Sequence, residues 1–278
     1  MLLAVFAALF YGISDFLAGV CARTGQSVMG VAFVVQAAAV IPASAFALMR
    51  PVPLTAGAIG WGSFAGIGLA LGSGALYLGL ARGAMGVVAP TSAIVSAAVP
   101  VLVAVALREK FAVAAVLGIL LAVPALVMIA APAEQKVSQS SRGWRVADLG
   151  FGATAGVGIG ISYVAYGAAR GHGSWPVPIS LALSTAIFGA VLLYLGKHRA
   201  LVLDWRIGLA AGASLGLACA AFRLSVEGRS VAISSVVTSL YPAVTVVLAA
   251  VVLKERIGVV RAFGLLGALI SIALVTYG

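Results

Sequence analysis

A chain of 278 residues that is 63% hydrophobic and only 9% charged, with a mean hydropathy of +1.19, lies far from the roughly one-quarter charged composition of a water-soluble domain. Its net charge of +10 and pI near 10.2 invite a nucleic-acid reading. The basic residues, however, stand singly between apolar runs as in membrane-protein loops, with no basic stretch or aromatic–basic alternation, so the composition predicts an integral, multi-pass membrane protein that binds no nucleic acid.

The N-terminus, MLLAVFAALFYG, lacks the positive start of a signal peptide and stays apolar to Ala22, which predicts a retained first span. Within it, GISDFLAG (Gly12 to Gly19) places Asp15 inside an apolar segment, as happens for no other acid in the chain. A carboxylate at membrane depth is costly unless paired, protonated or wetted, which makes Asp15 a functional candidate by default. The uncharged intervals that follow are 26 residues (Arg23 to Arg50), 31 (Arg50 to Arg82) and 25 (Arg82 to Arg108). Each exceeds the ~20 helical residues that cross a bilayer. Lys110 to Glu134 supplies a fifth span, so residues 1–132 form one five-helix unit and 133–146 a polar linker. Five more spans follow in 147–278, at about 147–169, 175–196, 207–226, 230–253 and 257–277. The eighth holds only 16 uncharged residues between Arg206 and Arg223, and Arg223 is expected to snorkel toward polar surroundings. The spans must be helical, since lipid cannot satisfy open backbone groups.

The two units are related. Gly62, Gly66, Arg108-Glu109-Lys110 and Gly118 recur 146 residues later as Gly208, Gly212, Lys254-Glu255-Arg256 and Gly264. GISDFLAG returns 148 residues later as GISYVAYG, with Tyr163 where Asp15 stood. An odd number of spans per unit forces the second copy to enter from the opposite side, giving ten helices as two inverted five-helix repeats around a central cavity. Small-xxx-small spacings in the third, sixth and eighth spans predict close helix approach, with Gly66 and Gly212 as packing or hinge positions. Pro90 and Pro100 in the fourth span and Pro242 in the ninth are expected to kink their helices.

Polar groups inside the spans define a candidate substrate or coupling set. Tyr11 lies one turn from Asp15, Ser14 adjoins it, and Ser162 and Tyr163 take the corresponding places in the second half. Gln36, Tyr77, Ser92 and Tyr241 complete the set, Gln36 being the costliest of these to bury. Glu109 and Glu255 read as braces of interfacial corners, Arg223 and Glu227 as an interfacial pair four residues apart, and His172 and His198 as solvated loop residues. Cys21 and Cys219 read as small core residues, without a disulfide or a metal site.

These features resemble two EamA-type domains of the drug/metabolite transporter superfamily. The likeness is carried by the duplication, the GISDF-type first helix, VVAPTSAIVSAAVPVLVAVALREKF, VAISSVVTSLYPAVTVVLAAVVLKERI and the charged corner after the fourth and ninth spans. The familiar corner is close to Gly-Glu-Arg-Pro; here the Glu stands in both copies without the Gly and Pro, so no special turn is expected. The resemblance implies a basket of helices with the fifth and tenth peripheral, moving small metabolites, amino acids and related compounds among them. It also implies cytoplasmic termini and a bacterial plasma (inner) membrane. By contrast, Lys and Arg number six on the termini side and eleven on the other, a bias that places the termini outside.

There is no HExxH, G-x-S-x-G or Walker motif, and no catalytic residue, cofactor or metal is expected. Movement of substrate would then be driven by a gradient or by exchange. The expected function is a secondary transporter, exporter or exchanger, of a small metabolite, with an amino acid favoured. The alternatives are a cationic-drug exporter and a non-transporting membrane sensor or scaffold. The expected partners are the substrate, the bilayer and, through Asp15, protons; no oligomer is required.

Overall fold

The computed structural model describes residues 1–22, 28–50, 52–82, 85–131, 146–195 and 205–277. His198 and all of the linker 133–146 except Val146 lie outside them. The described residues form α1 (Leu2–Ala22), α2 (Val28–Leu48), α3 (Ala56–Ala81), α4 (Met85–Ala106), α5 (Val113–Ile129), α6 (Val146–Ala168), α7 (Pro176–Tyr194), α8 (Trp205–Ser225), α9 (Val231–Thr238), α10 (Tyr241–Val252) and α11 (Val259–Tyr277). Helices α9 and α10 make one span, Val231–Val252, and nine spans among the described residues are long and apolar enough to cross a membrane. The tenth, α5, has 17 residues. The chain is an all-α membrane protein.

The break in the ninth span falls at Ser239 and Leu240, directly before Tyr241-Pro242. Pro242 has no N–H to continue the ladder, while Ser239 and Leu240 close the preceding turns onto Ser235 O and Val237 O. The kinks expected at Pro90 and Pro100 do not interrupt α4, which stays helical through both. Opening a lipid-exposed helix would orphan further backbone groups, so one lost hydrogen bond is tolerated.

Alternating direction brings Met1 and the ends of α2, α4, α6, α8 and α11 to one side, the termini face. Ala4, Val237 and Val275 pack in one cluster there, and Thr238 Oγ1 donates to Ala4 O at 3.4 Å. At the opposite face the Arg82 guanidinium lies 4.2 Å from the ring centre of Phe151, joining the end of α3 to the start of α6. Arg261 Nε donates there to Ala131 O at 2.7 Å. The sixth span thus enters from the side opposite to the first.

Helix pairing follows an approximate two-fold relation. Helix α1 packs on α8 as α6 packs on α3; α2 packs on α8 as α7 packs on α3; α4 packs on α6 as α9 and α10 pack on α1. The pairs α2–α7 and α5–α11 are their own counterparts. In the α5–α11 pair a Cβ on Gly118 would meet Ser271 O and Val275, and one on Gly264 would meet Ala125 O and Ile129, positions that correspond at the same spacing of 146. Each half thus finds its main partners in the other half, and α5 and α11 sit at the periphery against each other.

The charged corners depart from expectation. Arg108 (φ 58°) and Lys254 (φ 54°), again 146 residues apart, both adopt the left-handed conformation. Glu109 N–H returns to Ala104 O at 2.9 Å and Glu255 N–H to Ala249 O at 3.3 Å, closing each helix as a left-handed cap does. The turn is therefore present without glycine, at a steric cost of roughly 1–2 kcal/mol per residue.

Candidate functional site

Two glycine contacts position the centre of the molecule. A Cβ on Gly12 would sit 2.5 Å from Val244 Cβ and 2.8 Å from Tyr241 O, so α1 rests directly against the broken ninth span. A Cβ on Gly158 would sit 2.5 Å from Gly72 N and 2.6 Å from Gly68 O, so α3 and α6 touch backbone to backbone. At that crossing Ser162 Oγ donates to Ala65 O at 2.9 Å and to Gly158 O at 3.1 Å. These close approaches bring Tyr11 and Asp15 of α1 to Tyr163 of α6 and Tyr241 of α10.

The result is an aromatic cluster. Tyr11 meets Tyr163 edge-on at 6.4 Å between ring centres and Tyr241 at 6.2 Å; Tyr163 stacks on Phe222 at 4.2 Å; Tyr166 lies 6.3 Å from Phe222. Its hydroxyls are paired inward: Tyr11 Oη with Cys219 Sγ at 3.2 Å, and Tyr166 Oη with Ser180 Oγ at 2.5 Å. Asp15 lies within electrostatic reach of Tyr77, Tyr163 and Tyr241. Among the described residues it has no hydrogen-bond or ion-pair partner, and it remains only half-buried, as does Tyr77. Asp15 is thus a half-buried carboxyl group whose charge is felt by tyrosines of α3, α6 and α10.

The other expected residues separate from this cluster. Gln36 Nε2 donates to Ser73 Oγ at 3.3 Å, bridging α2 and α3, while its Oε1 is buried without a partner. Ser92 is buried without a partner, and its carbonyl lies 2.7 Å from where a Gly156 Cβ would be, in the α4–α6 contact. Ser14 is buried, and Ser162 serves the α3–α6 crossing. Gly66 and Gly212 hold close contacts with α7 and α2: an added Cβ would stand 2.8 Å from Ser180 O and 2.6 Å from Val35 O. Pro100 is buried in α4, while Pro90 and Pro242 are half-buried.

One expectation is corrected and two are sharpened. Arg223 reaches polar partners at the end of its span while 0% exposed, donating from Nη2 to Ala169 O at 2.9 Å, with Nη1 3.5 Å from Oε1 of the expected partner Glu227. His172 is not simply solvated: its Nδ1 lies 2.9 Å from Thr55 Oγ1, and its ring fills the space beside Gly57. Cys219 is the core residue expected and also pairs with Tyr11 of the tyrosine cluster. The spacing Cys219–Arg223, four residues apart on one helix face, was the available signal for both.

A cleft of about 500 Å³ opens among α3, α6 and α7, lined by residues such as Leu71, Gly74, Phe151, Thr154 and Phe188. A second groove runs between α2 and α7. Neither includes Asp15.

A family model described as EamA-like transporter family matches residues 139–277, half of the chain. The chain belongs to that family. It is accordingly a multi-pass membrane transporter of the drug/metabolite type. Sixteen chains of solved structures match it. One, described only as a crystal structure of a protein, superposes with a TM-score of 0.77 at 15% identity, over 99% of this chain and 96% of that one. At that identity the likeness shows the fold. No curated protein matches.

Proposed function

We propose that the chain is a secondary active transporter, exporter or exchanger, of a small polar or zwitterionic metabolite, with an amino acid first, in a bacterial plasma membrane. Two related units, 1–132 and 147–278, would alternate access, and Asp15 would be the coupling carboxylate. The observation that carries this reading is the state of Asp15: half-buried, without a hydrogen-bond or ion-pair partner among the described residues, and within reach of Tyr77, Tyr163 and Tyr241. A carboxyl group so placed can hold a proton or an ammonium group, and competition between the two at one site couples their movements. The tyrosines can donate hydrogen bonds and remain neutral.

A second reading is export of an organic cation, since a carboxylate in aromatic surroundings attracts a desolvated ammonium or guanidinium group. A growth screen decides between them. Cells expressing the protein should tolerate amino-acid or dipeptide overload better than cells without it, with no change toward toxic quaternary cations. The opposite pattern would transfer the assignment to cations, and protection against neither would count against both.

A further inference from the structure

On the termini side of Asp15 the described side chains pack more closely than around it. Around Asp15 the residues Tyr77 and Pro242 to Val246 are half-buried, and an added Cβ at Gly19 would meet nothing within 4 Å. One turn and more toward the termini face, Tyr11, Tyr163, Tyr166, Phe222, Val226 and Leu240 are all buried. Above this layer lies the segment between α8 and α9, and three arginines hold it. Glu227 Oε2 lies 3.2 Å from Arg50 Nη1 at the end of α2, and its Oε1 lies 3.5 Å from Arg223 Nη1. Arg170, after α6, donates from Nε to Val226 O at 2.8 Å and from Nη2 to Arg229 O.

We propose that Arg50, Glu227 and Arg223 form an ionic latch that holds the termini face shut and must separate when that face opens. This inference rests on the transporter reading, but not on Asp15 as its coupling group. A guanidinium that was only structural would be expected to have its donors filled, because a buried unpaired donor is costly. Arg223 instead leaves Nε and Nη1 without a hydrogen-bond partner, and its pairing with Glu227 is long. The bond ties Glu227, in the turn after α8, to Arg50 beyond the end of α2, so movement of that turn away from α2 breaks it. Glu227 and Arg50 are partly exposed, so water can take over both groups on release, whereas Arg223 stays anchored to Ala169 O. An exposed pair of this kind contributes little to stability, which suits a contact that is broken in every cycle.

The native cysteines provide a readout that needs no substrate. Cys219 is buried beside Tyr11, one turn inside Arg223, while Cys21 lies at the other end of its span. In a Cys21→Ser background, a membrane-impermeant thiol reagent is applied to each face of oriented vesicles, and modification of the Cys219 peptide is followed by mass spectrometry. Glu227→Gln should raise its rate at least tenfold from the termini face alone, and Arg50→Gln, at a partly exposed position where folding is not at stake, should do so by several fold. A disulfide between cysteines introduced by Arg50→Cys and Glu227→Cys should suppress modification below the parent rate, with recovery on reduction. Unchanged labelling in Arg50→Gln and in the cross-linked protein would overturn the latch, and so would an equal rise from both faces. Loss of transport in Asp15 variants with this labelling pattern intact would bear on the coupling site and leave the latch standing.

Discussion

GISDFLAG and GISYVAYG occupy corresponding places in the two halves, yet their surroundings differ. Gly12 and Gly160 do the same work, pressing α1 onto α10 and α6 onto α4, with an added Cβ 2.5 Å from Val244 Cβ in one case and 2.6 Å from Val99 Cβ in the other. The side chains that follow are in opposite states: Asp15 is half-buried without a hydrogen-bond or ion-pair partner among the described residues, and Tyr163 is 1% exposed and stacked on Phe222. In an inverted repeat, equivalent positions experience the two faces of the membrane in turn. Backbone symmetry is kept where the helices pack, while the side chains at the equivalent positions differ in burial and in partners. The packing is looser around the acid than around the tyrosine.

The comparison breaks most severely where the backbones touch. Gly158→Leu would drive a side chain into Gly72 N and Gly68 O and separate α3 from α6, at about 3 kcal/mol or more. Its folded yield and melting temperature in detergent should fall sharply; an unchanged melt would mean that the α3–α6 contact is not required. Gly66→Ala and Gly212→Ala come next, each placing a Cβ against a carbonyl at 2.8 or 2.6 Å, for roughly 1–3 kcal/mol. Both should remain folded with exchange rates reduced to a similar degree. Loss confined to one of them would show that the halves do not move as equivalents. Leu at either position would test packing as much as motion, since its first carbon already meets backbone.

Tyr163→Phe removes one hydroxyl and keeps the ring. About 1 kcal/mol is at stake, so apparent KM should rise roughly fivefold with the melting temperature little changed. An unaltered KM would remove the Tyr163 hydroxyl from the site. Gly19→Ala has the smallest expected effect, within about 0.5 kcal/mol, because its Cβ would meet open space. A large loss of flux there would indicate that α1 closes against something in another state.

Much of the fold was legible because membrane spans write themselves as uncharged intervals. The spacing of 146 that related Gly118 to Gly264 and Arg108 to Lys254 reappears as reciprocal contacts and as paired left-handed residues. The break at Ser239-Leu240 was signalled by Pro242, whereas α4 runs on as one helix through Pro90 and Pro100. At the site, Tyr11, Asp15, Tyr77, Tyr163 and Tyr241 were readable as polar groups in apolar surroundings. Which of them meet was not, because that depends on crossings such as Gly158 on Gly72. Ser162 and Gln36 stood in the same candidate set as Tyr163, and geometry places both in helix contacts. The pairing of Arg223 with Glu227 was legible from their spacing of four, but its full burial and its bond to Ala169 O depend on tertiary packing.

The most direct test of the central claim is the response of Asp15→Asn to a pH gradient. The substitution keeps size and polarity but cannot titrate. In proteoliposomes with a labelled amino acid identified by the growth screen, the wild-type protein should accumulate substrate uphill when the gradient is imposed. Asp15→Asn should retain exchange of substrate across the membrane and lose that accumulation. Uphill movement by the variant equal to the wild type would contradict Asp15 as the coupling carboxylate.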